Sequence, residues 1–325
     1  MDNKTIYKKT LGFSIRRLGW DILSFIIIIG LSAAGFVLAE QLNNKGLIGL
    51  AIGAIIGIIV IAILLRYVSY TYKAGQIAMM TKAVTEDKLP DDVIKAGKEI
   101  VKERFTTIAA YFAITGVIKG IFRQIGRSIT ALGKAIGGDT GNAVGSTVSS
   151  VIETVVAYLC DCCLGWVFYR KDEKATKATL EGAVIFFKHG KTLFKNLGRV
   201  FGMSIVSFLI IGGAFFGVAY LIMSCFPDLF SQLSTEIIEA GARAGKDLPA
   251  WVSDINTLTL VCAGITGVVF WSMLHSVFVR PFILVGVLRN YINSGKNETI
   301  DKKSFDELDK KSAKFKQLHA ELDNK

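Results

Sequence analysis

Four stretches of this chain carry no charged residue and run close to the length of a bilayer crossing: 22–39, 46–65, 200–227 and 255–279. A helix needs about 20 mostly apolar residues to cross a hydrocarbon core. Lipid offers the backbone no hydrogen-bonding partner, so a segment that crosses alone must be helical. The solvent is therefore fixed before the fold is considered. The pattern predicts an all-α, polytopic membrane protein.

The chain is 51% hydrophobic with mean hydropathy +0.46, yet it carries a net charge of +11. Its Lys and Arg residues flank the apolar runs and form no separate polar domain. That placement points to anionic lipid headgroups as partners and away from nucleic acid. The five cysteines, Cys160, Cys162, Cys163, Cys225 and Cys262, lie in or beside predicted spans, unlike a secreted disulfide framework. Lys8, Lys9, Arg16 and Arg17 precede the first apolar run as in a signal peptide. That run exceeds a usual h-region and further spans follow, so a retained first span is expected.

Six membrane helices are expected, at about 20–40, 46–70, 104–122, 147–169, 200–224 and 256–279. Lys119 interrupts the third, and the fourth carries Glu153 and Asp161. No proline falls at a predicted span centre, so proline kinks are not expected. The N-terminal segment, the stretches 73–104 and 170–199, and the C-terminal tail are rich in Lys and Arg. Loop 225–254 is acidic. By the positive-inside rule both termini are cytoplasmic, in a multi-pass protein of the cell membrane. Arg123, Arg127 and Lys134 go against this arrangement, because six spans place them outside.

Two internal matches suggest a repeat. Segment 95–102, Lys-Ala-Gly-Lys-Glu-Ile-Val-Lys, matches 188–195, Lys-His-Gly-Lys-Thr-Leu-Phe-Lys. Segment 19–28, Gly-Trp-Asp-Ile-Leu-Ser-Phe-Ile-Ile-Ile, matches 202–211, Gly-Met-Ser-Ile-Val-Ser-Phe-Leu-Ile-Ile. They predict a membrane domain over 1–295 made of three hairpin repeats, about 5–90, 91–180 and 181–295, each led by a basic amphipathic interfacial helix. In the first of these helices Tyr7, Leu11, Ile15 and Leu18 share a face, with Lys9, Arg16 and Arg17 off it. Lys8, Lys9, Arg16, Arg17, Lys95, Lys98, Lys188 and Lys191 are the lipid-headgroup candidates. The tail, 296–325, reads as a cytoplasmic amphipathic helix with Phe305, Leu308, Phe315, Leu318 and Leu322 on one stripe. It would lie on the bilayer or pair with a second copy or another protein.

Acids in a span are costly and usually face a bundle interior or a wet cavity. Glu153 and Asp161 stand about 80° apart on an ideal helix, and either marks a cation pathway or pairs with a base such as Arg66 or Arg280. Trp271 and His275, four apart, share a helix face. Tyr158, Trp166, Phe168 and Tyr169 surround Asp161 in sequence. Aromatic faces with a carboxylate suit a quaternary ammonium, while Trp166 and Tyr169 also suit an aromatic belt at a span end. Glu153, Asp161, Trp166, Trp271 and His275 are thus the pathway candidates. Cys-Asp-Cys-Cys at 160–163 lacks zinc-ligand spacing, so no metal is expected. Gly133, Gly137, Gly141 and Gly145 recur every fourth residue, as in a close helix contact or a loop running into one. H-E-x-x-H, G-x-S-x-G and the Rossmann fingerprint are absent, so neither an enzyme nor a cofactor is expected.

Cys162-Cys163-Leu164, Lys-Asn-Leu-Gly-Arg-Val at 195–200, Val-Ser-Phe-Leu-Ile-Ile-Gly-Gly at 206–213 and Leu-Arg-Asn-Tyr-Ile-Asn-Ser-Gly at 288–295 resemble the choline-transporter-like family. The resemblance covers less than half the chain. Where that family carries an acidic motif near its last span, this chain has Arg289-Asn290-Tyr291. The resemblance implies an integral membrane transporter or channel-like protein for a small cation or organic amine. The alternative is a non-catalytic membrane scaffold or accessory subunit binding anionic lipid and protein partners.

Overall fold

The computed structural model describes residues 1–43, 46–137, 156–195, 197–243 and 245–323. Glu153, Gly141 and Gly145 lie outside them. The described residues are helical, with no strand among them. Four helical stretches are long and apolar enough to cross a membrane: Asn3–Leu42, Ile48–Glu86, Gly202–Ser224 and Ile255–Lys296. The chain divides into two compact units, Met1–Leu197 with Pro281–Lys325, and Gly198–Arg280.

The first unit opens with a helical hairpin, α1 (Asn3–Asn43) and α2 (Gly46–Val68). Its apolar residues mostly face outward: Ile26, Ile29, Leu38, Ile55 and Ile63 are 56–67% exposed, as lipid-facing side chains would be. Glycine holds the two helices together. A Cβ at Gly49 would fall on the Gly35 carbonyl, one at Gly53 on the Leu31 carbonyl, and one at Gly57 within 3.1 Å of the Ile28 Cα. Without side chains at these points the backbones approach closely, the main source of helix affinity where lipid removes the hydrophobic effect. The Glu40 carboxylate accepts from the Gly46 N–H at 2.8 Å and so caps the start of α2.

After α2 a π-helical turn, Ser69–Lys73, leads into α3 (Ala74–Glu86), and lipid exposure gives way to burial. Ala74, Ile77, Met79 and Met80 are at most 1% exposed. The N-terminal half of α1 packs here through Ile6, Thr10, Phe13 and Ser14, all fully buried. Buried Gln76 donates from Nε2 to Ser14 Oγ at 3.0 Å and to the Thr10 carbonyl at 3.3 Å. Each of these polar groups would cost free energy if left alone, so the seam fixes the register of α1 on α3. Asp92 caps α4 (Val93–Arg104) by accepting from the Lys95 N–H at 2.9 Å.

The third and fourth expected spans take a different form. The stretch expected to cross from 104 begins at Ile108, as α5 (Ile108–Gly137), and α4 meets it at an 80° bend. The described part of the fourth, α6 (Val156–Tyr169), is a shorter apolar helix. Residues 147–155 of that expected span lie outside the described residues. The side chains of α6 are covered by protein: Tyr158 through Phe168 are buried on every face. Around it lie α7 (Ala175–Lys195) and α12 (Arg280–Lys296), the latter belonging to this unit from Pro281 onward. A Cβ at Gly165 would strike Leu288 and one at Gly182 would strike Cys163, which fixes how closely these helices can approach α6.

The tail is not one free helix. It folds as α13 (Lys302–Asp309) and α14 (Ala313–Asp323), parted at 310–312. Leu308 and Phe315 are fully buried. Ser312 Oγ donates to Gln124 Oε1 at 2.6 Å, tying the break to α5. The stripe expected to meet a bilayer or a partner is thus largely covered by the chain itself.

The second unit contains α8 (Leu197–Ser207) from Gly198 on, a π turn Phe208–Gly212, α9 (Gly213–Ser224), α10 (Pro227–Arg243), α11 (Ile255–Leu274) and a π turn His275–Val279. Its hairpin closes where Gly267 meets the Gly212 carbonyl and Phe216, and Phe215 stacks on Phe270 at 4.5 Å. Asp254 starts α11, accepting from Asn256 N–H and Thr257 Oγ1. Those bonds hold its carboxyl below the usual range. Ile205, Leu209, Ile210 and Leu221 are 58–68% exposed, so this hairpin also presents an apolar exterior.

Candidate functional site

Asp161 sits on α6 with its side chain 6% exposed, and Lys73 Nζ stands 2.7 Å from its Oδ1. Lys73 is the last residue of the π turn between α2 and α3. A π turn adds a residue to the helical repeat and rotates the next helical segment about its axis, a common device at special positions. The partner of Asp161 is therefore a lysine 88 positions away, beyond the bases considered from sequence. A carboxylate held by an ammonium at this distance is neutralised. Another cation could take the site only by displacing Lys73.

The cysteines beside Asp161 are packing groups. Cys160, Cys162 and Cys163 are at most 8% exposed, and Cys163 Sγ donates to the Thr179 carbonyl at 3.6 Å. Burial pushes the Cys163 thiol well above its ordinary range, so it stays protonated and poorly nucleophilic. Among the described residues no group of three His, Cys, Asp or Glu side chains could hold a metal ion.

Trp166 lies one turn further along α6, 2% exposed, and its Nε1 donates to Glu181 Oε2 at 3.2 Å. Arg170 reaches the same oxygen at 3.5 Å and Glu173 at 3.2 Å. Trp166, Arg170 and Glu181 line a cavity of about 610 Å³ with Tyr169, Lys296 and Glu298. A second cavity of about 250 Å³ adjoins it, sharing Tyr169 and Lys296. Asp161 lines neither.

Trp271 and His275 belong to the other unit and make a separate cluster there. Trp271 Nε1 donates to Ser207 Oγ at 3.1 Å, and Ser207 Oγ donates to the Ser204 carbonyl at 2.8 Å. Ser204 Oγ donates to the Val200 carbonyl at 2.9 Å and lies 3.1 Å from His275 Nε2. With the serine proton committed, the network assigns the proton of that bond to Nε2. The cluster ties α8 to α11 as interhelical hydrogen bonds do in lipid.

The lipid candidates separate by exposure. Lys8, Lys9 and Arg16 are exposed and Arg17 is half-buried. The apolar face expected from sequence is not the one α1 buries in protein: Ile15 is 56% exposed, and Tyr7, Leu11 and Leu18 are half-buried. That outer apolar face beside three exposed cations has the make-up of an interfacial surface. Lys95 is exposed, whereas Lys98 lies 4.8 Å over the Tyr72 ring. Lys188 is engaged, donating to Glu298 Oε1 at 2.8 Å and to the Thr299 carbonyl at 3.0 Å. Together with His189 it holds the Glu298 carboxyl below its usual range. The Lys191 side chain lies outside the described residues.

Three features escaped the sequence reading. Lys73 and Glu181 become partners of α6 only once distant segments pack. The glycine ladder was visible, since Gly49, Gly53 and Gly57 form a G-x-x-x-G-x-x-x-G run in an apolar helix. Comparison with known proteins found no family model, no curated protein and no solved structure that matches this chain.

Proposed function

We propose that this protein is a non-catalytic membrane scaffold or accessory subunit, in which lipid-embedded hairpins hold a helical body at the cytoplasmic face, with anionic headgroups and protein partners as its ligands. The Lys73–Asp161 pair carries this reading. The acid best placed in sequence to serve a cation is paired with a lysine and lines neither of the two cavities described above.

The topology in this reading has four crossings, near 20–42, 46–68, 202–224 and 255–279. An even number keeps both termini on one side. It also removes the charge conflict, because Lys119, Arg123, Arg127 and Lys134 then lie inside with the other basic segments. Only the short turn after α1 and the acidic loop 225–254 lie outside. The repeat is narrowed to two hairpins with one plan, since α2 and α11 each run through a π turn into a largely buried helix. Arg16, about 6 Å before residue 20 on α1, then faces headgroups and contributes about 1 kcal/mol near an anionic surface.

Transport of a small cation or organic amine, implied by the choline-transporter resemblance, is the competing outcome. Full-length protein reconstituted in liposomes with and without phosphatidylglycerol separates the two. The scaffold reading expects no choline, sodium or potassium flux and a salt-sensitive preference for the anionic membrane. Saturable choline flux abolished by Asp161→Asn would overturn it.

A further inference from the structure

We propose that the 250 Å³ cavity of the first unit is a binding site for a phosphate group, either on a small soluble phosphomonoester or on a lipid headgroup. Four separate chain segments build it, Ile100 coming from α4. Thr81, Lys82 and Thr85 come from α3, Phe168, Tyr169 and Lys171 from the end of α6, and Lys296 from the end of α12. Its volume is just below the 300 Å³ at which small-molecule pockets usually begin, which suits a compact group.

The lining is cationic: three lysines stand against one carboxylate, Glu86. Glu86 is exposed and meets Lys82 at 3.5 Å, a weak contact in water. Lys171 has no carboxylate partner among the described residues. Lys296 Nζ lies 5.4 Å over the Tyr169 ring, and it too has none. The three lysines line one concavity although each has solvent available. Bringing like charges together raises the local potential and attracts an anion.

A second, independent observation is Thr81. It is 2% exposed, and its Oγ1 has no hydrogen-bond partner among the described residues. A buried hydroxyl without a partner is costly, so groups of this kind in native proteins call for a ligand or water. Thr81 lines the same cavity, whose charged groups are mostly ammonium donors. Phosphate has several acceptor oxygens and matches that set of donors. The neutral remainder, Ala78, Ile100, Phe168 and Tyr169, would pack against a short organic tail.

The position along the chain bears on the source. The helical stretch Ile48–Glu86 carries Lys82 about 20 Å beyond Val68, at 1.5 Å per residue. A phosphate in the plane of headgroups beside Val68 would have to leave the bilayer to reach it. This favours a soluble phosphomonoester, a ligand distinct from the bilayer beside Arg16, which stands only about 6 Å before residue 20 on α1.

The test uses full-length protein in a neutral detergent, titrated with glycerol 3-phosphate and followed by calorimetry. Glycerol is the control ligand, and binding should weaken as salt rises. Lys171→Ala and Lys296→Ala alter exposed side chains and leave the core intact. Each should weaken glycerol 3-phosphate about tenfold, the loss of one charge-assisted contact. Thr81→Val should weaken it less, and Lys102→Ala, exposed and outside the cavity, should not change it. A parallel arm compares nanodiscs of phosphatidylglycerol and phosphatidylcholine. Lys171- and Lys296-dependent binding of phosphatidylglycerol without binding of glycerol 3-phosphate assigns the site to a headgroup. No binding of either, or binding that Lys171→Ala with Lys296→Ala leaves unchanged, overturns the proposal.

Discussion

Breaking the Lys73–Asp161 pair from its two sides should give unequal losses. Lys73→Met leaves a carboxylate that is 6% exposed, whereas Asp161→Leu leaves an ammonium that is 28% exposed. Removing one member of a buried pair costs about 3–5 kcal/mol, because the other charge stays buried. Lys73→Met belongs at that level. Asp161→Leu should cost about 2 kcal/mol, since the long lysine stem can carry its charge toward solvent. A unit of this size loses about 2–4 °C per kcal/mol, so Tm should fall by about 10 °C and about 5 °C respectively. The double variant should recover most of the loss, because apolar replacement of a buried pair is often nearly neutral. Thermal unfolding of detergent-solubilised protein measures all four corners of the cycle. Additive losses would refute the pairing. A larger loss for Asp161→Leu than for Lys73→Met would refute the burial argument.

The packing sets three further outcomes. Gly53→Leu should lower Tm sharply and impair recovery of folded protein, because its side chain meets the Leu31 backbone; Gly30→Ala, with nothing within 4 Å, should be tolerated. Ser204→Ala and His275→Ala should each cost about 0.6 kcal/mol, the usual worth of an interhelical hydrogen bond in lipid, and should leave cation flux unchanged in liposomes. Glu298 has a folded-state pKa below its unfolded value, so its contribution is present above the unfolded pKa and lost as pH falls through the folded one. Between about pH 6 and pH 3 the native protein should therefore lose more Tm than Glu298→Gln does.

Much of the fold was legible because lipid imposes a simple rule. The uncharged runs within α1, α2, α9 and α11 are long, and their exposed isoleucines and leucines need no protein partner. The same rule failed at α6. Hydropathy cannot separate a helix covered by lipid from one covered by protein. Asp161 among cysteines pointed to the interior. The lysine that neutralises Asp161 was illegible, since nothing local relates positions 73 and 161. The heptad-like stripe of the tail was read correctly as apolar, but its docking on α5 depends on Gln124 meeting Ser312, which is again non-local. On α1 the apolar residues at 7, 11, 15 and 18 were found, while the face the protein buries includes Thr10 and Ser14, which a hydropathy pattern reads as polar. Their burial becomes favourable only once Gln76 arrives from α3.

The arrangement of four crossings with one helical body inside is tested most directly by labelling single cysteines from outside the cell. Each is placed in a Cys225→Ala background, since Cys225 is exposed. Lys119→Cys is the deciding position, because six crossings place the far end of the third span outside and four place it inside. A membrane-impermeant maleimide should label Glu239→Cys in intact cells. Lys119→Cys and Lys302→Cys should react only after permeabilisation. Labelling of Lys119→Cys in intact cells would contradict the four-crossing topology and with it the cytoplasmic body on which the scaffold function rests.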